Sequence, residues 1–456
     1  MKKYYSFKKV KECCYIISLV LLITCLFQGC TENTDVQTAS THEVVSVQAI
    51  SSEPGGIKLI RTNHPNLWYN QSEIEQLRKM ILIDKSPPKL SNIYHEFCKG
   101  KMASYPPYPW SKKWKDCYSQ GYKVGINNME ACISYMIEPT QEKAYRMKDV
   151  IFAFMKEGAS RYIDPQNCGH TNWSLAWMYD LTYNSGVYTE AEKGQIEDFF
   201  SDIASLVKSV MGNGYRDNRG AGVTGGFPLA NRHVHEVVTR SGYPNWYAFV
   251  TGGAVCAALN GNDQDLLDFF TKSKNTKLYT NPYSQGVTLT SPDPDTCYVR
   301  DLYQYVNGMV FPSGATFDYY QRDIDDSNYP GPKSSYTAAE CTNNNHAAGS
   351  TGSYNEFSLA GIYLGLEAAA HNGWNGWYED MYNGKPAMQR AIDFQIQYHH
   401  AIKKASAKSA LCIRRFYTAD AVIRDYFMGP DGNNIDKSTH IFGDIGRIFC
   451  YPMYDI

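Results

Sequence analysis

The sequence predicts an all-α protein built as an (α/α) toroid, that is, an incomplete barrel of helix hairpins. Apolar residues recur at helical spacing in one stretch after another, and capping patterns stand at the start of several of these stretches. Strand-like alternation is weak before about 411–417 and 439–451. A generic helical solenoid would produce the same one-dimensional pattern. We therefore expect helix pairs in sequence, with little β structure near the C-terminus.

The first helices are expected from their start and stop signals. Asn-Gln-Ser-Glu at 70–73 has the form of a capping box, in which each end of the motif satisfies a backbone N–H group at the other. Pro139-Thr140 separates two apolar-periodic stretches, 131–137 and 144–154, as a stop followed by a cap. Thr189 precedes an acidic first turn, which complements the helix dipole. Further helices are expected at 172–183, 246–260, 263–272, 297–309, 354–370 and 386–402.

Long loops rich in glycine and proline lie between the expected helices, at 211–228, 280–295 and 325–353. Loops of this length are uncommon in a helical domain unless they build a site. We therefore expect them to form a cleft at one end of the helix pairs.

Residues 1–29 have the form of a lipoprotein signal peptide. A lysine-rich head precedes an apolar core at 15–27, and the small residue Gly29 stands directly before Cys30. Lipid at Cys30 would anchor the protein to the outer membrane of a Gram-negative bacterium, in the periplasm or at the cell surface. A plain secretory signal or a short anchor helix would begin in the same way. Residues 30–58 are expected to form a flexible tether, and 59–456 a single catalytic toroid domain.

Composition argues against several classes of function. The formal net charge is -2, so no strong basic field would recruit nucleic acid. The nine cysteines after Cys30 lack the paired spacing of a metal site, and their odd number leaves at least one free thiol. Aromatic residues make up 14% of the chain, which suits stacking on sugar rings. We expect no nucleic acid partner, no metal and no other cofactor, and membrane contact only through Cys30.

Residues 343–357 are the most informative stretch for chemistry. His346 and Tyr354 flank a run of small residues, which lets a backbone approach a ligand closely. Both side chains titrate and can exchange protons with a substrate. The sequence has no nucleophile elbow and no phosphate-binding loop, and Thr239 stands where a zinc protease would need its second ligand. Proton transfer is therefore the expected role of this stretch.

Short motifs along residues 60–400 resemble a group of polysaccharide lyases. His-Pro-Asn-Leu-Trp-Tyr at 64–69 and Ala-Trp-Met-Tyr-Asp-Leu at 176–181 are similar to segments of alginate lyase and heparinase-type toroids. Tyr-Asn-Glu-Phe-Ser-Leu at 354–359 resembles the tyrosine-bearing helix start of the alginate lyase family. It is also similar to the His…Tyr segment of chondroitin and hyaluronate lyases, with a His-to-Tyr spacing one residue shorter. The resemblance implies metal-independent β-elimination on an anionic polysaccharide or oligosaccharide containing uronic acid, such as alginate, glucuronan or a glycosaminoglycan.

β-Elimination explains why such side chains are needed. The C5 proton of a uronate is weakly acidic, because the neighbouring carboxylate resists a second negative charge. Hydrogen-bond donors must neutralise that carboxylate, a base must remove the proton, and an acid must protonate the departing O4. Tyr354 is the expected acid and base if a nearby cation lowers its pKa from about 10, and His346 is its expected partner. Arg322 is expected to bind the carboxylate or lower the pKa of Tyr354, or else to pair with a nearby aspartate.

Asn245 is the expected neutraliser of the substrate carboxylate. It opens an apolar helix that resembles the asparagine-bearing helix start of these lyases, although Trp246 stands where alginate lyases have a histidine. A plain helix N-cap would explain Asn245 equally well. The alternative neutraliser is Asn172, in a similar Asn-Trp helix start. The residues expected to bind substrate are His170, Asn172, Trp173, His235 and Trp246.

Two other functions fit the same scaffold. A non-catalytic glycan-binding lipoprotein would use the same cleft without chemistry. An inverting glycoside hydrolase would need two carboxylates. Fold alone does not separate these functions, and the acidic run at 323–326 is more typical of a solvated loop than of a catalytic pair. The candidate carboxylates are Asp318, Asp323, Asp325, Asp326 and Glu340.

Overall fold

The computed structural model describes residues 63–105, 114–159, 165–212, 244–271, 310, 314, 351–378, 384–402, 414–416, 448–449 and 451. Contacts within the chain separate Met1–Ser51 from Ser52–Ile456, and all of these residues belong to the second unit. None of the helices in these ranges combines the length and apolar character that a membrane crossing requires. Ten α-helices lie in the same ranges: α1 Gln71–Arg78, α2 Pro88–Ile93, α3 Trp114–Ile137, α4 Gln141–Met155, α5 Pro165–Thr182, α6 Glu190–Gly212, α7 Pro244–Asn260, α8 Gln264–Thr271, α9 Thr351–His371 and α10 Ala387–Ile402.

The expected all-α class is confirmed, because the described residues contain helices and isolated bridges but no extended strand. The strand-like alternation at 411–417 is misleading in its described part, since residues 414–416 form a helical turn. Two buried ion pairs hold this turn. Arg414 Nη2 lies 2.8 Å from Glu73 Oε1, and Arg415 Nε lies 2.9 Å from Glu367 Oε2. Tertiary contacts of this kind override a local β pattern.

The expected helix starts are confirmed by their hydrogen bonds. Asn70 Oδ1 accepts the backbone N–H of Glu73 at 3.0 Å, while Glu73 Oε2 accepts that of Asn70 at 2.8 Å. Thr140 caps α4 in one direction only, since its Oγ1 accepts the backbone N–H of Lys143 at 3.2 Å. Thr189 and Glu192 form a second reciprocal pair at 3.2 Å and 2.8 Å. Each of these caps satisfies backbone donors that the first helical turn leaves unpaired.

Helix bounds agree with expectation to within three residues for α7, α8, α9 and α10. The exceptions are α3, which is expected only over 131–137 but begins at Trp114, and α5, which is expected from Asn172 but begins at Pro165. Asn172 therefore lies inside a helix and is not at a helix start. The helix expected at 297–309 lies outside the described residues.

The helices form two rows. α3, α5, α7 and α9 pack side by side, each against the next. α4 packs against α5 and α6, and α6 packs against α7 and α8, so α4, α6 and α8 form a second row behind the first. From α3 to α8 the chain thus alternates between an inner and an outer helix, which is the hairpin arrangement of an (α/α) toroid.

α5 and α7 run in the same direction. A Cβ atom placed on Gly253 of α7 would lie 3.4 Å from Cβ of Asn172 on α5. Farther along both helices, Asn260 Nδ2 donates to the carbonyl oxygen of Ala176 at 2.8 Å. Residue numbers therefore rise together along the two helices, and their C-terminal ends lie on the same side.

The segment 64–69 joins the C-terminal ends of α5 and α9. The backbone N–H groups of Asn66 and Leu67 donate to the Asp180 carboxylate of α5 at 3.0 Å and 2.9 Å. The Asn66 side chain donates to the carbonyl oxygen of His371, the last residue of α9, at 3.0 Å. α9 is therefore parallel to α5 and α7. The motifs 64–69 and 176–181 are therefore in contact, through the hydrogen bonds of Asn66 and Leu67 to Asp180.

Two cysteines, Cys98 and Cys132, are buried free thiols, which confirms the expectation of at least one free thiol. Burial raises the pKa of both groups. They are therefore neutral and poorly reactive at physiological pH.

α7 and α9 touch backbone to backbone at Gly252, where an added Cβ would overlap the carbonyl oxygen of Gly361. We expect Gly252→Ala to lower the free energy of unfolding by roughly 1–3 kcal/mol, because the inner row must separate to admit the methyl group. The measurement is urea unfolding followed by circular dichroism. Gly194→Ala on α6 is the matched control. It has nothing within 4 Å of an added Cβ and should gain about 0.5–1 kcal/mol from helix propensity. Equal effects of the two variants would contradict the close contact.

Candidate functional site

Tyr354 and Asn245 lie near the starts of two adjacent parallel helices. Tyr354 is the fourth residue of α9, which begins three residues earlier than expected, and Asn245 is the second residue of α7. Asn245 stands seven residues before Gly252, and Tyr354 stands seven residues before Gly361. These two glycines are in backbone contact. At 1.5 Å per residue, both backbone positions lie about 10 Å from that contact on the same side. The packing therefore brings these two expected catalytic positions to one level of the inner row.

Two expected substrate-binding residues of α5, Asn172 and Trp173, lie farther from the helix starts, at the level of Gly253 on α7. Asn172 and Trp173 are 1% and 0% exposed and pack where α5 meets α7, with Trp173 Nε1 3.4 Å from a Cβ placed on Gly253. In this arrangement the two side chains belong to helix packing. His170 lies between them and the start of α5, and Trp246 is the third residue of α7. These two positions are therefore closer to the helix starts.

Three expected site residues, His346, Arg322 and His235, lie outside the described residues, and their roles stay predictions. The five carboxylates proposed for a hydrolase also lie outside them.

A buried ionic cluster that the sequence did not reveal lies at the opposite end of the inner row. It consists of Glu73, Glu367, His371, Arg414 and Arg415. Arg415 holds Glu367 through two contacts, Nε–Oε2 at 2.9 Å and Nη2–Oε1 at 3.1 Å. Arg414 bridges both carboxylates, at 2.8 Å to Glu73 and 3.7 Å to Glu367, and His371 Nε2 lies 3.4 Å from Glu73 Oε2. The side chains of Glu367 and Arg414 are 0% exposed.

Nearby positive charges keep the buried Glu367 carboxylate ionised. Burial alone would raise the pKa of the Glu367 carboxyl, but attraction to Arg415, Arg414 and His371 outweighs burial and holds the pKa below its usual value. The carboxylate is thus committed to ion pairs. A general acid needs a raised pKa and access to substrate, so Glu367 serves the fold.

Several tyrosines in the described part of the chain have environments unsuited to a base. Burial raises the pKa of Tyr94, Tyr179 and Tyr188, and a carboxylate hydrogen-bonded to Tyr94 and another to Tyr179 raise it further. These phenols remain protonated. A tyrosine base needs the opposite environment, with a cation close to its oxygen.

No protein-family model matches the chain, and no curated protein matches it. Among solved structures, alginate lyase A1-III from Sphingomonas species A1 is similar at a TM-score of 0.43 and 12% identity, covering 78% of this chain and 88% of that chain. A single-site variant of alginate lyase A1-III complexed with a tetrasaccharide gives a TM-score of 0.46 and 12% identity, over 84% and 95% of the two chains. The same variant without ligand gives 0.43 and 11%, over 83% and 94%. Similarity at this level does not show that two proteins share a site or an activity. The all-α class of the present chain rests on its own helices.

No group of three or more histidine, cysteine, aspartate or glutamate side chains is arranged to hold a metal ion within the described ranges.

Proposed function

We propose that the protein is a polysaccharide lyase that cleaves a uronic-acid-containing polymer by β-elimination. The observation that carries the proposal is the placement of Tyr354 and Asn245 at one level on the parallel helices α9 and α7. A tyrosine and an amide are the acid/base and the carboxylate neutraliser that the reaction needs. The resemblance of residues 354–359 to a lyase motif supports the same assignment.

In the proposed reaction, the Asn245 amide donates to the uronate carboxylate and stabilises the charge that develops when the C5 proton leaves. Tyr354 takes the C5 proton and then protonates the departing O4. His346 or Arg322 supplies the positive charge that lowers the pKa of Tyr354. The positive ends of the α7 and α9 dipoles lie at the helix starts that carry Asn245 and Tyr354, and the α5 start is on the same side, which favours an anionic substrate.

A glycoside hydrolase needs two carboxylates that can exchange protons with the substrate. Glu73 and Glu367 are held by arginines in a buried cluster, where neither can protonate a leaving oxygen. This cluster therefore gives the hydrolase no catalytic pair.

The deciding experiment is incubation with alginate, glucuronan and a glycosaminoglycan while ultraviolet absorbance is followed. β-Elimination leaves a conjugated double bond in the new non-reducing uronate, so absorbance should rise with chain cleavage. New reducing ends without this chromophore would identify a hydrolase, and binding without new ends would identify a glycan-binding protein.

Lipid anchoring at Cys30 belongs to the same proposal, since an anchored lyase would act on polymers reaching the cell envelope. We expect Cys30→Ala to lose incorporation of a labelled fatty acid, because the acylated thiol is lost. Metabolic labelling followed by immunoprecipitation measures the change. Cys25→Ala, within the apolar core of the signal, is the control and should keep the label. Unchanged fatty-acid labelling of Cys30→Ala would refute lipid attachment at this residue.

A further inference from the structure

The inner face of α5 is covered by aromatic side chains. The Tyr179 hydroxyl donates to Glu197 of α6 at 3.1 Å, so Tyr179 faces the outer row. Trp177 precedes it by two residues and points to the opposite side, because two helical steps rotate a side chain by about 200°. The Trp177 ring lies 4.9 Å from Trp68 and 5.5 Å from Phe449. Trp68 and Phe449 therefore lie on the inner face.

The same aromatic group reaches α9. Trp68 Nε1 donates to the carbonyl oxygen of Leu364 at 3.0 Å, so the indole extends from α5 to α9. Tyr69 stacks on Phe449 with ring centroids 5.8 Å apart, and the Arg414 guanidinium lies 4.7 Å from the Tyr69 centroid. We call Trp68, Tyr69, Trp177, Arg414 and Phe449 the floor. Each of these five residues is at most 1% exposed.

The floor occupies the C-terminal half of the inner face. Leu364 stands ten residues after Tyr354 on α9, which corresponds to a rise of about 15 Å. The space at this level is filled by the close-packed aromatic rings and by the Arg414 guanidinium, which is paired with Glu73 and Glu367. Opening it would expose several large aromatic surfaces and break buried ion pairs, both of which are costly.

We propose that the floor closes the inner face at the helix C-terminal end, and that an anionic oligosaccharide binds on the side of the helix starts. This inference rests on the proposed function and adds to it the direction from which the polymer approaches. It also excludes threading of a polymer chain along the inner row from end to end. The floor is then part of the scaffold and makes no contact with substrate.

Hydrogen exchange followed by mass spectrometry tests the inference on the full mature chain. The probe is an alginate hexasaccharide added to Tyr354→Phe, which should bind without turnover, with neutral maltohexaose as control. At ten times its Kd, the uronate probe should slow exchange about tenfold where it binds. We expect slower exchange in peptides covering 244–252 and 351–361, and unchanged exchange in 64–69, 366–372 and 414–416.

The possible outcomes separate the two proposals. Slower exchange centred on 64–69 or 414–416 would overturn the closed floor, even if wild-type protein produces the elimination chromophore. Slower exchange at the helix starts, with neither the chromophore nor new reducing ends from wild-type protein, would support the direction of approach and replace the lyase by a binding protein. Equal effects of the uronate probe and maltohexaose would also overturn the inference, because the site would not recognise an anionic sugar.

Discussion

Tyr354→Phe is expected to reduce the rate of β-elimination by roughly 10²–10⁴-fold, the usual contribution of a positioned acid or base. The substitution removes only the phenolic oxygen, so it removes the proposed proton acceptor and donor while the helix position of residue 354 is kept. The first turn of α9 should therefore remain intact. The loss should appear in kcat, since the carboxylate neutraliser and the helix starts still bind the substrate.

A matched tyrosine separates chemistry from general damage. Tyr145 on α4 is 54% exposed and belongs to the outer row, so Tyr145→Phe should keep wild-type kcat. Thermal unfolding of both variants should coincide with that of the parent protein. Near-normal kcat for Tyr354→Phe, on a polymer that wild-type protein cleaves, would remove Tyr354 from the mechanism.

Asn245 can be tested within the same scheme. Its level in the inner row matches that of Tyr354, and as the second residue of α7 it lies inside the helix, after the N-cap position. A neutraliser acts in the transition state and a first-turn residue acts on helix stability, so the ratio of kcat loss to stability loss distinguishes the two roles.

Helix starts were predictable from sequence because their signals are local. The Asn70–Glu73 capping box and the Thr189 cap each involve residues three apart, so a short window contains both partners. The placement of Tyr354 near a helix start follows instead from the resemblance of residues 354–359 to a lyase motif, and the helix begins three residues earlier, at Thr351. The start of α5 was missed because residues 165–171 carry few apolar side chains, and apolar periodicity cannot mark a turn that lacks them.

The buried ionic cluster could not be predicted, because its partners are far apart in the chain. Arg414 and Glu73 are separated by 341 residues, and the charges of residues 411–417 alone do not indicate which carboxylate they meet. The floor could not be predicted for the same reason, since Trp68 and Phe449 are far apart in the sequence and come into contact only in the folded chain. Sequence motifs at 64–69 and 176–181 were visible, but their meeting at Asp180 required the fold.

Glu367→Gln is expected to lower the free energy of unfolding by about 3–5 kcal/mol, the usual cost of breaking a buried ion pair on one side. The substitution keeps the size of the side chain but leaves Arg414 and Arg415 without the charge of their shared partner. Because the Arg414 side chain is 0% exposed, solvent cannot replace that charge. Urea unfolding measures the loss. Glu190→Gln is the control, since Glu190 is 87% exposed and pairs with Lys193 at the surface, where a pair contributes at most about 1 kcal/mol.

The pH dependence of stability gives a second and independent test of Glu367. Its pKa is held below the ordinary value in the folded protein, so folding favours the ionised form. The resulting stabilisation is present above the unfolded-state pKa of about 4.3 and is lost as pH falls through the lower folded-state pKa. Wild-type protein should therefore lose stability steeply below about pH 4.3, whereas Glu367→Gln should show a shallower slope in that range. Parallel slopes would mean that other carboxylates cause the acid sensitivity and that the cluster does not depend on the charge of Glu367.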